Sequence, residues 1–87
     1  MDLTEIFLEV SPKDIAYIKF IFESYEGVGI VRTVDQKKSI IDILVVDDFQ
    51  ETARSIVLSL NHEVKMREVP RPRGIGDDWL VRELTNR

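Results

Sequence analysis

Twice in this chain a period-two run of apolar residues gives way to a helical period within a few residues, first after Val10 and again after Val46. In the first case Ile6, Leu8 and Val10 alternate with Glu5, Phe7 and Glu9, the pattern of a strand with one buried face. Ser11, Pro12, Lys13 and Asp14 then supply a hydroxyl for an N-cap, a proline at the first helical position, where no N–H is needed, and a carboxylate three residues after the cap. At about 100° per residue, Ile15, Ile18, Ile21, Phe22 and Tyr25 cluster on one side of the helix that follows. Lys19, Glu23 and Glu26 fall opposite, while Tyr17 and Phe20 project away from the apolar stripe.

In the second case the run 39–46 places Ile41, Ile43 and Val45 on one face and Ile40, Asp42, Leu44 and Val46 on the other. Asp47 and Asp48 each precede Gln50 or Glu51 by three residues, the spacing of a capping box. Phe49, Ala53, Ile56, Val57 and Leu60 then keep helical spacing to a stop at Asn61. The set Ile41, Ile43 and Val45 is expected to face the helices.

Two more strands complete the pattern. Residues 28–34 are rich in Val and Ile and are joined to the run 39–46 by Asp35, Gln36, Lys37 and Lys38, the length of a hairpin loop. Gly27 and Gly29 follow the first helix, where a left-handed C-cap suits glycine. Residues 64–69 alternate again and stop at Pro70 and Pro72, which cannot donate to a ladder. The order strand, helix, strand, strand, helix, strand predicts an α+β fold, the ferredoxin-like βαββαβ sandwich. Its antiparallel sheet has the order 4-1-3-2, and right-handed crossovers put both helices on one face. Residues 1–69 form this domain, and 70–87 form a C-terminal tail with a short helix or strand around Trp79 and Leu80, packed on the sheet or on a partner subunit.

Composition narrows the function. With 87 residues there is one hydrophobic core. The absence of cysteine removes disulfides, thiolate catalysis and iron–sulfur ligation, and the single histidine, His62, gives no basis for a transition-metal site. No metal and no cofactor are expected. The N-terminal residues lack a signal-peptide pattern and no run approaches the about 18 apolar residues of a membrane span, so a cytoplasmic protein without membrane contact is expected. A net charge of −4 argues against duplex binding, which rests on Lys and Arg against phosphates. Ser11 has no histidine beside it in sequence, and capping accounts for the Asp47–Asp48 pair, so no catalytic residue is assigned.

The stretch Ser11 to Leu60, with its helix ending at Glu26, the run Gly27-Val28-Gly29-Ile30-Val31 and a charged hairpin, resembles a family of short bacterial proteins known as a domain of unknown function. It is more distantly similar to the ACT-like ferredoxin-fold regulatory domains. That second resemblance implies side-by-side or face-to-face pairing and an amino-acid or organic-acid ligand near the loop after the first strand, here with Ser11, Asp14, Gly27 and Gly29 as ligand-binding residues.

Strand alternation leaves Phe7, Ile40, Leu44 and Val46 on the sheet face away from the helices, so something is expected to cover them. The leading expectation is a non-enzymatic interaction or regulatory domain that forms a homodimer through Phe7, Tyr17, Phe20, Leu44, Trp79 and Leu80. A small-molecule sensor of the ACT type is the alternative. An RNA-binding sheet is a further one, with nucleic acid disfavoured because Phe7 is the only aromatic available on the two central strands.

Overall fold

The computed structural model describes residues 3–25 and 28–73. Strand β1 (Leu3–Val10) leads through a 3-10 turn, Pro12–Asp14, into helix α1 (Ile15–Ser24). Strands β2 (Gly29–Asp35) and β3 (Ile40–Val46) form a hairpin, a second 3-10 turn at Asp47–Phe49 opens helix α2 (Gln50–Leu60), and β4 (Met66–Glu68) closes the sheet. The domain is therefore α+β, with four antiparallel strands in one sheet and two helices.

The strand order is β2-β3-β1-β4, which counted from the β4 edge is 4-1-3-2. β1 is central, paired with β3 from Leu3↔Val46 to Glu9↔Ile40 and with β4 from Leu8↔Glu68 to Val10↔Met66. A backbone bond from the Val69 N–H to the Phe7 carbonyl, 2.9 Å, carries the last pairing one step past β4.

Alternation sorts the side chains as the sequence pattern requires. Ile6, Leu8 and Val10 of β1, Val31 of β2, and Ile41, Ile43 and Val45 of β3 join Ile18 and Phe22 of α1 and Ala53, Ile56 and Leu60 of α2 in one core. Both helices thus pack on the same sheet face. Full burial of each large aliphatic or aromatic side chain stabilises by about 1.5–3 kcal/mol, which makes this cluster the principal source of stability.

Four local expectations are corrected. Ser11 is the N-cap of the Pro12–Asp14 turn, but its hydroxyl makes no capping bond; the Asp14 N–H bonds to the Ser11 carbonyl instead, at 2.9 Å. Neither Asp47 nor Asp48 closes a capping box: both lie inside the second 3-10 turn, and Asp47 Oδ1 accepts a hydrogen bond from Thr4 Oγ1 on β1, 3.1 Å. Phe49 and Tyr25, assigned to the apolar stripes, are exposed, because the first sits in a turn of different pitch and the second beyond the last helical residue. Gly29 belongs to a strand rather than a helix cap, and a Cβ there would stand 3.0 Å from the Leu44 carbonyl oxygen.

Candidate functional site

The cleft with the most chemistry lies at the end of the sheet where β1 finishes and β3 and β4 begin. Its volume is about 520 Å³, and Val10, Ser11, Lys38, Ser39, Lys65 and Arg67 are among the residues that line it. The β2–β3 turn positions one wall: the Lys38 N–H donates to Asp35 Oδ1 at 3.0 Å, and Ser39 follows with a φ of 56°, in the left-handed region uncommon for residues other than glycine. The Ser39 carbonyl then accepts the Val10 N–H at 2.9 Å, which ties the turn to the end of β1.

Lys65, on the segment entering β4, and Arg67, within that strand, form the opposite wall. Arg67 pairs with Glu9 across the β1–β4 ladder at 2.8 Å. Three cationic side chains and one carboxylate, Glu9, therefore line a cleft in a chain whose net charge is −4. Together with the Ser11 hydroxyl, which is not committed to capping, this arrangement favours a small anion. The volume lies within the range of about 300–1,000 Å³ usual for small-ligand sites.

Of the described residues proposed for ligand binding, Ser11 and Asp14 share one turn and Gly29 lies apart from them. Ser11 lines the cleft. Asp14 stands at the N-cap of α1 without a side-chain capping bond. Gly29 pairs with Val45 at the far end of the sheet, whereas Ser11 follows Val10 near the start of β3; a strand of this length separates the two ends by roughly 20 Å. Gly27 lies outside the described residues.

The second notable region is the sheet face opposite the helices. Phe7 and Leu44, expected to lie open for a partner, are only 7% and 4% exposed within a single chain. That also removes Phe7 as a free stacking platform for a base. Arg71 stands over its ring, 5.8 Å from the centroid, and pairs with Glu5 at 2.7 Å. Of the remaining interface candidates, Tyr17 and Phe20 are exposed on α1, and Trp79 and Leu80 lie outside the described residues.

Asp42 occupies the middle of this face, fully buried, opposite Phe7 on β1 and Arg32 on β2. Burial first, then the neighbouring Glu5 carboxyl and its charge, push the Asp42 carboxyl up to about 9, against a smaller opposing effect of Arg71. Sequence reasoning passed over this residue as a functional candidate, although it is the only charged side chain in Ile40–Val46. Among the described residues no cluster of three or more His, Cys, Asp or Glu side chains stands ready for a metal, and no helix is long and apolar enough to cross a membrane.

These features define a small α+β domain with one antiparallel sheet, a helical layer and a basic cleft at the sheet end. The sequence pattern of the family described as a domain of unknown function, DUF4911, matches residues 8–64, more than half of the chain, and the chain belongs to that family. The match covers β2, β3 and both helices and stops before β4. No curated protein and no solved structure matches the chain.

Proposed function

We propose that this domain is a non-catalytic regulatory module of ferredoxin-like fold that takes a small anionic ligand, of the amino-acid or organic-acid class, in the cleft between Ser11, Lys38 and Lys65. The observation that carries this reading is the concentration of three cationic side chains around a ligand-sized cleft in an acidic chain. The βαββαβ order and the β2-β3-β1-β4 sheet support the fold assignment and the distant likeness to ACT-like domains. Val10 and Met66, also in the lining, offer apolar surface for the rest of such a ligand.

A thermal-shift screen of amino acids, organic acids and nucleotides tests it. A ligand at one hundred times its dissociation constant stabilises by about 2.7 kcal/mol, which raises the melting temperature of a domain this small by roughly 10 °C or more. The double variant Lys38→Gln, Lys65→Gln is expected to abolish the shift while keeping the wild-type melting temperature without ligand. Flat curves across all anionic compounds would overturn the reading.

Self-association is the second reading, favoured by Phe20 at 65% and Leu58 at 67% exposure on the two helices. Because Phe7 and Leu44 are already buried in one chain, the helical layer is the better surface for a homodimer. Light scattering at micromolar concentration should then give a dimer mass that Phe20→Ser reduces to a monomer; a monomeric wild-type protein would refute it.

A further inference from the structure

Three buried carboxylate oxygens on the sheet face away from the helices, Glu5 Oε2, Asp42 Oδ1 and Asp42 Oδ2, accept no hydrogen bond among the described residues. They belong to two side chains on neighbouring strands. Asp42 stands directly opposite Phe7, and Glu5, two residues earlier on β1, is its diagonal neighbour on the same face. The other Glu5 oxygen is occupied by Arg71 at 2.7 Å.

A buried ionised carboxylate without partners is costly, and two of them side by side are more so. As two carboxylates the pair has acceptors only, and neither can hydrogen-bond the other. One proton resolves this: a protonated Asp42 becomes a donor, and a single O–H···O bond satisfies one oxygen on each side chain.

We propose that Glu5 and Asp42 share a single proton at neutral pH, with Asp42 as the donor and Glu5 as the acceptor, and that this acid pair is a proton-operated fastener of the outer sheet face. The charged groups facing Asp42 are Glu5 from β1, Arg32 from its register position on β2, and Arg71 from the segment after β4. Arg71 ties that segment to Glu5, so the proton between Glu5 and Asp42 couples the chain beyond β4 to the centre of the sheet. The upward displacement of the Asp42 carboxyl, caused mainly by burial, agrees with this geometry.

The sign of the pH effect follows. For an acid raised in the folded state, the stabilisation is complete below the ordinary carboxyl range and is lost as pH rises through about 9. The domain should therefore weaken steadily from mildly acidic to alkaline pH, and the loss should reside in this pair.

Carbon-13 carboxyl NMR titration of the full chain tests the proposal, with the Asp42 resonance assigned by its absence in Asp42→Asn. Asp42 is expected to be more than half protonated at pH 7; a carboxyl more than half ionised at pH 7 overturns the proposal. In Glu5→Gln the like charge is gone, and the Asp42 midpoint should fall by about one pH unit or more; an unmoved midpoint would mean that no proton is shared. Asn at position 42 can donate the same bond without a titrating proton, so melting temperatures of Asp42→Asn should vary less between acidic and alkaline pH than those of the wild type. Equal pH dependence in the two proteins would remove the pair as the fastener.

Discussion

The Tyr17 hydroxyl of α1 donates to Glu63 in the turn after α2, 3.1 Å to Oε1 and 3.3 Å to Oε2, and so joins the outer surface of the first helix to the approach to β4. That bond, with a lesser contribution from burial and from the Glu63 charge, holds the phenol above its ordinary ionisation range. An ultraviolet titration should therefore show a late-ionising component from Tyr17. The late component should disappear in Tyr17→Phe and move earlier in Glu63→Gln. Since the group is raised in the folded state, its contribution is complete below pH of about 10 and is lost as pH rises beyond it.

Gly29 makes the β2–β3 pairing possible at close range. Its missing Cβ would stand 3.0 Å from a backbone oxygen, Leu44 O, and 3.3 Å from Ile43 Cγ2. A backbone atom in the central part of a sheet does not yield cheaply, so Gly29→Ala is expected to cost about 1–3 kcal/mol, the scale of an overpacked core. Urea denaturation should show a lower midpoint at unchanged slope. A rise in the midpoint, as chain entropy alone would produce, would show that β3 moves aside.

Phe22 is fully buried between α1 and the sheet, within the core that both helices share. Phe22→Ala should cost about 3–5 kcal/mol, a large part of the about 5–15 kcal/mol available to a domain. Circular dichroism during urea titration should show a domain partly unfolded already at low denaturant. Phe20→Ala, two positions earlier but exposed, should leave the curve almost unchanged.

Asp47 and Asp48 separate two explanations of the same sequence signal. If both were caps, replacing either with alanine would cost a similar amount. The bond from Thr4 to Asp47 instead predicts that Asp47→Ala lowers stability by about 0.5–1 kcal/mol, while Asp48→Ala stays within about 0.5 kcal/mol of wild type. Thr4→Val should reproduce the Asp47 effect, and the double variant should cost little more than either alone.

The central strands and the buried helix faces were legible in the sequence because periodicity depends only on neighbours along the chain. Ile6, Leu8, Ile41, Ile43, Ile18, Phe22, Ala53 and Leu60 all follow from it. What was misread sits where local rules compete with distant ones. The 3-10 turns at both helix entrances change the pitch that brought Phe49 into the stripe, and the partner of Asp47 lies 43 residues away.

The basic cleft and the Glu5–Asp42 pair were hidden for a related reason. Lys38 and Lys65 meet only because β1 lies between β3 and β4, and Asp42 finds Glu5 only once β1 and β3 are in register. The one local clue was a lone aspartate within Ile40–Val46, a charge in a run otherwise suited to burial.

The central place of β1 also constrains the time course of folding. Of the four strands of this sheet β1 is synthesised before the others, yet it has no neighbour until β3 is made, and its other flank waits for Met66–Glu68. Its pairing therefore closes long loops, which slows folding relative to local structure such as α1 and the β2–β3 hairpin. Until β3 is made Ile6, Leu8 and Val10 form an apolar segment with no sheet to join, and the four-stranded sheet is complete only with β4.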